Sequence, residues 1–535
     1  MVKVKIISPT VAYLDFGPGD FEKIQSLIKY KNTSNDFAYR KHVKNKYWKA
    51  SNPEAWQTRG DELKSKINLS LLFEEDGRTC IRPGYLPYLE NVVELQIDNQ
   101  IVYPEPKLYP WYKKLEVTPY DYQKLSVENL IKEKHGNVSL CTGSGKSLIL
   151  LMIAQKLGLK TVITTPSISI FNELLEKFEH HFGKSAVGAL GGGKKRLGKK
   201  FTVCVADSVE NLKPGTKEYE DIYSSQVLLT DESHTFGSET LNKMCHGVLR
   251  NIPYRFFVSG TQTRGDGTEK LLHSIIGRTV AELTTKDAIE GGYVCDHEFR
   301  IVKMLSSNPG FNSADALAMK RSHFLKNSNI AQFIAKLSES TYQARGHQTL
   351  VLVDELSQIS LLLPMLRVPA SIATSTTDVA SIIALMFDAD KDKVKAKIKS
   401  DPEKYPQYFI DNMTPEQRQT FEAIKNSDPQ QAVEDFNNGK TRVLIGTSCI
   451  ATGTNIFPTH NTVNWSGGTS EIKTKQGAVG RSVRKLENSK YVDLHAPKPK
   501  SIIWDFDIVE VEPMERHLAQ RISFYEESGV PIIRL

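Results

Sequence analysis

A glycine-bearing turn between two apolar segments is the feature that most constrains this chain. Residues 140–147 read LCTGSGKS, and the apolar run LILLMIA occupies residues 148–154. A short turn of this kind between a strand and a helix presents successive backbone N–H groups to an anion, and the helix N-terminus adds its positive dipole. In such a phosphate loop Lys146 reaches the β- and γ-phosphates of a nucleotide, and the Ser147 hydroxyl ligates Mg²⁺. The sequence therefore predicts a nucleotide site on an α/β domain.

The phosphate-loop pattern has one departure, which leaves an alternative open. The strict pattern G-x-x-x-x-G-K-[ST] requires glycine at position 140, where this chain has Leu140. The alternative is a glycine- and serine-rich turn that contains a lysine by chance. Against it, the apolar run VLLT at residues 227–230 ends at Asp231 and Glu232, about 85 residues after the loop. An acid at a strand end holds Mg²⁺ through water and a second carboxylate activates the attacking water, so the two motifs together predict nucleotide hydrolysis.

The composition is that of a globular protein rather than a membrane or disulfide-rich one. The 535 residues are 40% apolar and 24% charged, which allows about three to four domains of ~150 residues. Lys and Arg outnumber Asp and Glu by 69 to 62, and this net charge of +7 permits polyanion binding. The six cysteines have no zinc spacing, no apolar run approaches the ~18 residues of a membrane span, and the N-terminus does not resemble a signal peptide. We expect a soluble cytoplasmic protein with reduced thiols and no membrane partner.

Residues 1–112 are predicted to form a small α+β domain of their own. Alternating apolar residues at 2–7 and 11–16 indicate two paired strands, and a helix pattern follows to residue 30. Residues 39–49 (YRKHVKNKYWK) mix basic and aromatic side chains, and we interpret them as a hairpin. The mixture suits phosphate contacts and base stacking on single strands or junctions, but a solvated charged hairpin explains it equally well. The candidate DNA contacts are Arg40, Lys41, Lys44, Lys46, Tyr47, Trp48 and Lys49.

Two α/β units follow a proline-rich linker at residues 103–110. In residues 113–298 apolar strands alternate with helical stretches, which predicts a parallel sheet covered on both faces. A second unit of the same kind spans residues 299–535. Within it the polar residues 375–429 are predicted as a helical insertion, because structureless loops of this length are uncommon in compact domains. The predicted strands are 137–141, 161–165, 201–206, 226–230 and 255–259 in the first unit, and 299–304, 348–353, 370–374, 441–446, 462–465 and 501–505 in the second.

The order of the motifs resembles helicase superfamily 2 over about residues 118–507. In the first unit, residues 122–123 resemble the adenine-reading glutamine motif, and residues 231–234 (DESH) resemble a DExH motif II. The SGT at 259–261 resembles motif III, which couples hydrolysis to DNA. The remaining resemblances are to motif I at 142–147, to motif Ia at 165–166, to motif V at 446–447 and 451–456, and to the motif VI form Q-x-x-G-R-x-x-R at 476–484.

The resemblance implies a fold, a reaction and a set of residues. It implies two tandem RecA-like domains with the ATP site between them, and an enzyme that uses ATP and Mg²⁺. The implied catalytic residues are Lys146, Asp231 and Glu232, with Arg481 and Arg484 as arginine fingers on the γ-phosphoryl group. The implied ATP contacts are Tyr122, Gln123, Thr142, Gly143, Ser144, Gly145, Lys146, Ser147, Gly453 and Asn455; the metal ligands are Ser147 and Asp231; the coupling residues are His234, Ser259, Gly260, Thr261 and Gln476; and the DNA contacts of the motor are Thr165, Pro166 and Thr447.

Within that superfamily the chain resembles the phage UvsW type, DExH helicases that act on branched DNA. The basis is the small N-terminal module ahead of the motor, the GGGK at residues 191–194 and the amphipathic pattern near residues 517–525. This resemblance implies fork remodelling in recombination, repair and replication and, if the chain is phage-encoded, residence in the host cytoplasm; we expect a monomer. The chain departs from the superfamily at Asn455, where motif V often has aspartate, and from the UvsW type in the insertion at 375–429. That insertion is predicted either to contact replication or recombination proteins or DNA, or to be a solvated helical pair with no specific role.

Two other functions fit the same residues. An RNA or RNA–DNA hybrid helicase has the same motor; the glutamine that begins motif VI and the DESH sequence argue against the DEAD-box RNA group but not against DExH RNA helicases. A nucleic-acid-binding module that uses ATP only as a switch is the third function, and the presence of Glu232, Arg481 and Arg484 argues against it.

Overall fold

The computed structural model describes residues 1–109, 115, 117–236, 238–260, 267–375, 378–402, 404–450, 455–468, 474, 478–487, 489–526 and 528–535. The chain divides into two compact units. The first consists of Met1–Cys141 with Gly145–Leu283, and the second of Thr142–Ser144 with Thr284–Leu535. None of the helices in these described ranges combines the length and the hydropathy needed to cross a membrane.

The first unit begins with a small mixed sheet in the order β5-β6-β2-β1-β7, in which β1 and β7 are parallel and the other pairs antiparallel. A separate two-stranded ladder joins β3 and β4. The strands are β1 Val2–Ser8, β2 Val11–Asp15, β3 Lys29–Lys31, β4 Asn68–Ser70, β5 Phe73–Glu75, β6 Arg78–Ile81 and β7 Leu95–Asn99. The helices are α1 Asp20–Ile28, α2 Thr33–Lys44, α3 Lys46–Ser51, α4 Pro53–Ser65 and α5 Leu86–Leu89.

The hairpin predicted at residues 39–49 is wrong, because this basic and aromatic segment is helical. It runs through the end of α2 and into α3. Asn32 caps α2 by accepting a hydrogen bond from the N–H of Asn35 at 3.0 Å, and Asn45 caps α3 by accepting one from the N–H of Trp48 at 3.0 Å. Asparagine is among the best N-cap residues because its side-chain oxygen satisfies an otherwise unpaired N–H of the first turn. The two asparagines are therefore sequence signals of helix starts, and the interpretation of the segment as a hairpin did not take them into account.

A larger sheet forms the rest of the first unit, in the order β11-β10-β12-β9-β13-β14-β8-β15. Its strands pair in parallel except for the β10–β11 hairpin at one edge. The strands are β8 His135–Leu140, β9 Thr161–Thr165, β10 Val187–Gly191, β11 Lys194–Arg196, β12 Phe201–Val205, β13 Val227–Asp231, β14 Tyr254–Ser259 and β15 Thr279–Leu283. The helices are α6 Asp121–Glu133, α7 Lys146–Leu157, α8 Ile168–Phe182, α9 Ala206–Glu210, α10 Lys217–Tyr223, α11 Ser238–His246 and α12 Glu269–Ile276.

The predicted parallel sheet is confirmed, and the strands missed from the sequence are β10, β11 and β15. β10 is a short VGALG segment that begins and ends among small residues, and β11 is the basic KKR, so neither has the apolar run that marked the other strands. β15 is largely exposed or half-buried along its length. β11 and β15 are the two edges of this sheet, and edge strands need less apolar surface than central strands, so sequence patterns indicate them weakly.

The N-terminal sheet shares a hydrophobic core with the larger sheet. Buried residues of both, such as Ile24 and Leu89 on one side and Leu249 and Ile275 on the other, belong to one cluster. The side chain of Lys270 on α12 donates to the carbonyls of Ser26 at 2.7 Å and Lys29 at 2.8 Å. The N-terminal residues are thus packed as part of the first unit. The boundary predicted at residue 112 lies outside the described residues and stays a prediction.

The segment predicted as a linker is fixed to the larger sheet over its described part. The N–H of Lys107 donates to the carbonyl of Leu157 at 2.8 Å, and the ring of Tyr109 packs edge-on against Phe201 with centroids 5.1 Å apart. Gly158 has a φ of +56°, and a Cβ there would lie 1.5 Å from the carbonyl oxygen of Lys107. A side chain at position 158 would therefore displace this segment.

The second unit contains a seven-stranded parallel sheet in the order β18-β19-β17-β20-β21-β16-β22. Its strands are β16 Asp296–Met304, β17 Thr349–Val353, β18 Ala370–Ala373, β19 Val443–Gly446, β20 Asn461–Trp465, β21 Lys500–Ile508 and β22 Ile532–Arg534. Its helices are α13 Thr285–Glu290, α14 Ala316–Lys320, α15 Ser328–Arg345, α16 Leu356–Leu362, α17 Val379–Met386, α18 Lys391–Ser400, α19 Lys404–Asp411, α20 Pro415–Lys425, α21 Pro429–Asn437, α22 Gly480–Ser482 and α23 Glu512–Glu526. The six strands predicted for this unit are confirmed. The sequence did not indicate the additional strand β22.

The segment predicted as a helical insertion is helical, and part of it belongs to the core. Ile382 and Ile383 of α17 and Phe421 and Ile424 of α20 are buried in the same hydrophobic cluster as the sheet. The more polar α18 buries only Val394 among its described residues. The insertion is therefore four helices rather than a solvated pair, and three of them, α17, α18 and α20, bury residues in the core of the domain.

Candidate nucleotide-hydrolysis site

The phosphate loop lies between β8 and α7 and has the backbone that its glycines permit. Gly143 has a φ of +87° and Gly145 a φ of +79°, both in the left-handed region that favours glycine. Gly145 is the N-cap of α7, whose residues Ile149 to Ala154 are buried. The positive end of the helix dipole and the N–H groups of its first turn therefore lie at the loop, as phosphate binding requires.

Gln123 packs against this loop from α6. Its side chain is only 3% exposed, and its Oε1 accepts a hydrogen bond from the N–H of Tyr120 at 2.9 Å. A Cβ added to Gly145 would lie 2.6 Å from Nε2 of Gln123. The glutamine is thus fixed beside the loop, and Tyr122, the other residue of this predicted motif, stacks on Tyr120 with ring centroids 5.8 Å apart.

Lys146 is paired with Glu232. Its Nζ lies 3.3 Å from Oε1 of Glu232 and 3.5 Å from the carbonyl oxygen of Leu140, and the lysine side chain is 9% exposed. Glu232 follows β13 with a φ of +49°, which is uncommon for a residue other than glycine and is found at functional turns. The strained turn directs its carboxylate towards the loop lysine, so motifs that are far apart in the sequence meet in one place.

The residues of motif III complete the arrangement. The N–H of Gly260 donates to Oε2 of Glu232 at 3.3 Å, and Nδ1 of His234 is hydrogen-bonded to Oγ of Ser259. Nδ1 of His234 also lies 3.6 Å from Oε2 of Glu232. Because β14 lies between β13 and β8, the strand that carries motif III is adjacent to the strands that carry motifs I and II. The predicted coupling residue Thr261 lies outside the described residues.

The two acidic residues of motif II have opposite electrostatic environments. Burial and the negative charge of Glu232 raise the pKa of Asp231 to about 7. Burial acts on Glu232 in the same direction, but Lys146 and His234 outweigh it and lower the pKa of Glu232. Glu232 is therefore ionised, whereas Asp231 is a buried carboxyl group that an additional cation would stabilise.

The residues of this site fit Mg²⁺ as the resemblance implies. Asp231 and Ser147 offer hard oxygen atoms, and burial together with the negative charge of Glu232 raises the pKa of Asp231, so a cation beside this carboxyl group would favour its ionised form. Within the described ranges, no group of three or more His, Cys, Asp or Glu side chains forms a metal site. Mg²⁺ does not require one, because it is commonly held by one or two protein oxygens together with substrate phosphates and water.

In the second unit, one contact joins the residues predicted from motifs V and VI, and Arg481 and Thr447 bond to neighbouring backbone. Nε of Arg481 donates to the carbonyl of Ile450 at 3.1 Å, and the guanidinium of Arg481 is buried. Arg484 donates to the side-chain oxygen of Asn455. The N–H of Thr447 donates to the carbonyl of Ala373 at 3.1 Å. Gly453 and Gln476 lie outside the described residues, and the roles of all these residues stay predictions.

The candidate DNA contacts of the motor differ in exposure. Thr165 is fully buried, and its hydroxyl donates to the carbonyl of Cys204 at 3.1 Å, so its side chain does not reach a bound strand in this structure. Pro166 beside it is partly exposed. The apolar strand context that identified motif Ia is also what buries the threonine.

The aromatic residues of α2 and α3 also separate into two groups. Tyr47 is 84% exposed, and Phe37, which was not among the predicted contacts, is 71% exposed. Trp48 instead packs edge-on against His42, with ring centroids 5.3 Å apart, and is half-buried. Phe37 lies three, four and seven residues before Arg40, Lys41 and Lys44, so that these side chains share one face of α2. The helical period would have revealed Phe37, but the hairpin interpretation excluded it.

Comparison with known proteins agrees with this geometry. Residues 116–264 match the family model for "Type III restriction enzyme, res subunit". The matched residues contain the phosphate loop, the acids of motif II and Ser259–Gly260 of motif III, so this part of the chain is similar to a helicase-family domain. The chain is 27% identical over 321 residues to the DNA 3'-5' translocase XPB2 of Sulfurisphaera tokodaii, which covers 57% of this chain and 68% of that protein.

Two solved structures are similar to the chain over most of its length. The crystal structure of T4 UvsW aligns with a TM-score of 0.41 and 13% identity over 100% of this chain and 99% of that one. Mss116p bound to single-stranded RNA and AMP-PNP aligns with a TM-score of 0.49 and 12% identity over 78% of this chain and 74% of that one. The family match and the XPB2 relative identify the chain as an ATP-hydrolysing enzyme of the helicase type that nucleic acid stimulates.

Proposed function

We propose that this protein is an ATP- and Mg²⁺-dependent DNA helicase or translocase that acts on branched or forked DNA. The observation that carries the proposal is the contact between Lys146 and Glu232, with the N–H of Gly260 on the same carboxylate. The phosphate-binding lysine, the predicted catalytic acid and motif III are thereby joined. A module that used ATP binding only as a switch would not need an ionised carboxylate beside the phosphate-loop lysine.

The residues of the site divide the work of hydrolysis between them. Lys146 neutralises the β- and γ-phosphates of ATP, and moves off Glu232 when it does so. Glu232, no longer paired with Lys146, then accepts a proton from the attacking water. Ser147 and Asp231 would hold Mg²⁺, which would supply charge stabilisation for the transferred phosphoryl group. Arg481 and Arg484 add positive charge to the same group in the transition state.

The hydrogen bond between His234 and Ser259 offers a route from hydrolysis to the nucleic acid. The same imidazole nitrogen lies 3.6 Å from the catalytic carboxylate. A change in the charge or position of Glu232 therefore acts on β14 through His234 and Gly260. In this proposal the coupling passes along β14 into the residues of motif III.

The similarity to XPB2 favours DNA over RNA as the substrate. That relative is named a DNA translocase, and it aligns over more than half of this chain. Its name also supports translocation along DNA as the motor's basic action, with strand separation as one consequence. The RNA helicase remains the second candidate because the motor residues are compatible with either strand.

Branched DNA is favoured by the basic face of α2 and α3. Arg40, Lys41, Lys44 and Lys46 are exposed, and Tyr47 and Phe37 present aromatic rings to solvent beside them. Basic side chains follow a phosphate backbone, and exposed rings stack on bases that a junction leaves unpaired. This combination is better suited to a fork than to an intact duplex, whose bases are already stacked.

The test is ATP hydrolysis with single-stranded, duplex, forked and four-way-junction DNA and with matched RNA. We expect the largest stimulation with forked or four-way DNA. Reversal of two charges, K41E/K44E, should remove this preference and reduce the slope of log affinity against log salt by about 0.7 to 0.9 per lost contact. The matched control K3E/K5E reverses two exposed lysines on β1. Equal stimulation by RNA would support the second candidate, and equal effects of both double variants would exclude a specific role for this face.

A further inference from the structure

A second lysine lies at the phosphate loop, and it was not indicated by any of the helicase motifs. Nζ of Lys177 on α8 donates a hydrogen bond to Oγ of Ser147 at 3.1 Å. The same ammonium group is paired with Oε1 of Glu173, one turn earlier on α8, at 2.5 Å. The Lys177 side chain is 35% exposed and that of Glu173 is 18% exposed. The phosphate-loop motif predicts that the Ser147 hydroxyl binds Mg²⁺. The ammonium group of Lys177 is therefore hydrogen-bonded to a predicted metal ligand.

The charges of the pair also act on the other predicted metal ligand. Lys177 lowers the pKa of Asp231 and Glu173 raises it, although burial and Glu232 have larger effects. The pair is thus within electrostatic reach of both Ser147 and Asp231. The positive charge of Lys177 partly compensates the buried acids of the site.

We infer that Lys177 holds the Ser147 hydroxyl in the nucleotide-free protein and competes with Mg²⁺ for it, with Glu173 receiving the ammonium when the metal enters. This inference rests on the proposed function. Mg²⁺ binds its oxygen ligands at about 2.0–2.1 Å and requires a lone pair directed at the metal. An ammonium and a divalent cation on one hydroxyl oxygen repel each other strongly at that distance. Lys177 must therefore leave Ser147, and the existing contact with Glu173 provides its destination without a large movement.

The competition makes opposite predictions for the two members of the pair. Removal of the ammonium in Lys177→Met frees Ser147, so less Mg²⁺ should be needed for nucleotide binding. Glu173→Gln removes the group that draws Lys177 away, so more Mg²⁺ should be needed. Because Glu173 acts through Lys177, Glu173→Gln should change the Mg²⁺ requirement less when it is added to Lys177→Met than when it is added to the wild type. A lysine that served instead as a phosphate ligand would weaken nucleotide binding when removed.

The experiment measures binding of mant-AMPPNP to the full-length protein while MgCl₂ is increased. We expect the half-maximal Mg²⁺ concentration to fall about twofold to fivefold in Lys177→Met and to rise in Glu173→Gln, as one partly exposed ion pair allows. The matched control is Lys184→Met, an exposed lysine two residues beyond the end of α8. Thermal unfolding of each variant identifies any loss of the fold.

The outcomes separate the inference from the proposed function. Opposite shifts in the two single variants, with Lys184→Met unchanged, support the competition. Shifts in the same direction, shifts of less than twofold, or weaker nucleotide binding by Lys177→Met at saturating Mg²⁺ overturn it. If the wild-type protein binds no nucleotide at any Mg²⁺ concentration, the proposed function itself fails, and that result is distinct from all of these.

Discussion

The exposed ring of Tyr47 provides the sharpest test of how the N-terminal helices act. Tyr47 is 84% exposed, so Tyr47→Ala removes a ring that contributes little to the folded state. Stacking of a base on an aromatic side chain contributes about 1–3 kcal/mol. The variant should therefore bind forked DNA about 5- to 150-fold more weakly, since each 1.4 kcal/mol corresponds to about tenfold in affinity. The free energy of unfolding should change by less than about 0.5 kcal/mol, as for most surface substitutions.

Trp48 is the matched comparison because it is adjacent in sequence and different in environment. Its ring packs against His42, whose own ring stacks on Trp56 with centroids 4.8 Å apart. Trp48→Ala should destabilise the helices by about 1–3 kcal/mol through lost packing. The assays are fluorescence anisotropy with a labelled fork and thermal unfolding. If Tyr47→Ala binds the fork like the wild type, or if Trp48→Ala weakens binding with no loss of stability, the assignment of stacking and packing roles is wrong.

Four further predictions address the motor and the stability of the fold. Lys146→Ala should abolish ATP hydrolysis, whereas Glu232→Gln should retain ATP and DNA binding without turnover; a phosphate-release assay beside a DNA-binding assay checks both, and near-normal hydrolysis by Lys146→Ala would contradict the motor. Arg484→Ala should lower kcat by a factor on the order of 10³ with ATP affinity within a few fold, and Arg481→Ala should do the same and also lower the Tm, because its guanidinium is buried and bonded to Ile450; a raised KM at unchanged kcat would show ground-state binding only. Asn455→Asp should turn the hydrogen bond to Arg484 into an ion pair, which restrains Arg484 and lowers kcat by severalfold in a steady-state ATPase assay; unchanged kcat would show that this contact does not limit Arg484. Burial lowers the pKa of His135, His246, His297 and His460 to about 4, below the unfolded value near 6.5, so stability should be retained above pH 6.5 and lost as the pH falls towards 4; a Tm that is constant between pH 7.5 and 4.5 would contradict this.

A deletion of the N-terminal residues is a poor test of targeting in this protein. Such a deletion would expose the part of the core that Leu249 and Ile275 share with Ile24 and Leu89. It would also remove the carbonyl partners of Lys270. Loss of activity would then report unfolding of the motor as readily as loss of DNA contacts. Point substitutions on exposed residues avoid this ambiguity.

The sequence by itself determined the features that depend on short segments. Apolar runs that alternate with helical stretches predicted the two parallel sheets, because a strand buried on both faces must be apolar along its whole length. The glycines of the phosphate loop and the acids after β13 predicted the chemistry, because phosphate binding and water activation require those residue types at those spacings. Both signals are local, and each is complete within a few residues.

Only the tertiary structure decided which distant residues meet. The pair of Lys146 and Glu232, the seating of Gln123 on Gly145, and the hydrogen bond from Lys177 to Ser147 all depend on the order of strands in the sheet and on the helices that cover it. The shared core of the N-terminal and larger sheets has the same origin. Sequence patterns report which face of an element is apolar but not which element covers it, because hydrophobic burial is non-directional and any apolar face of suitable shape satisfies it.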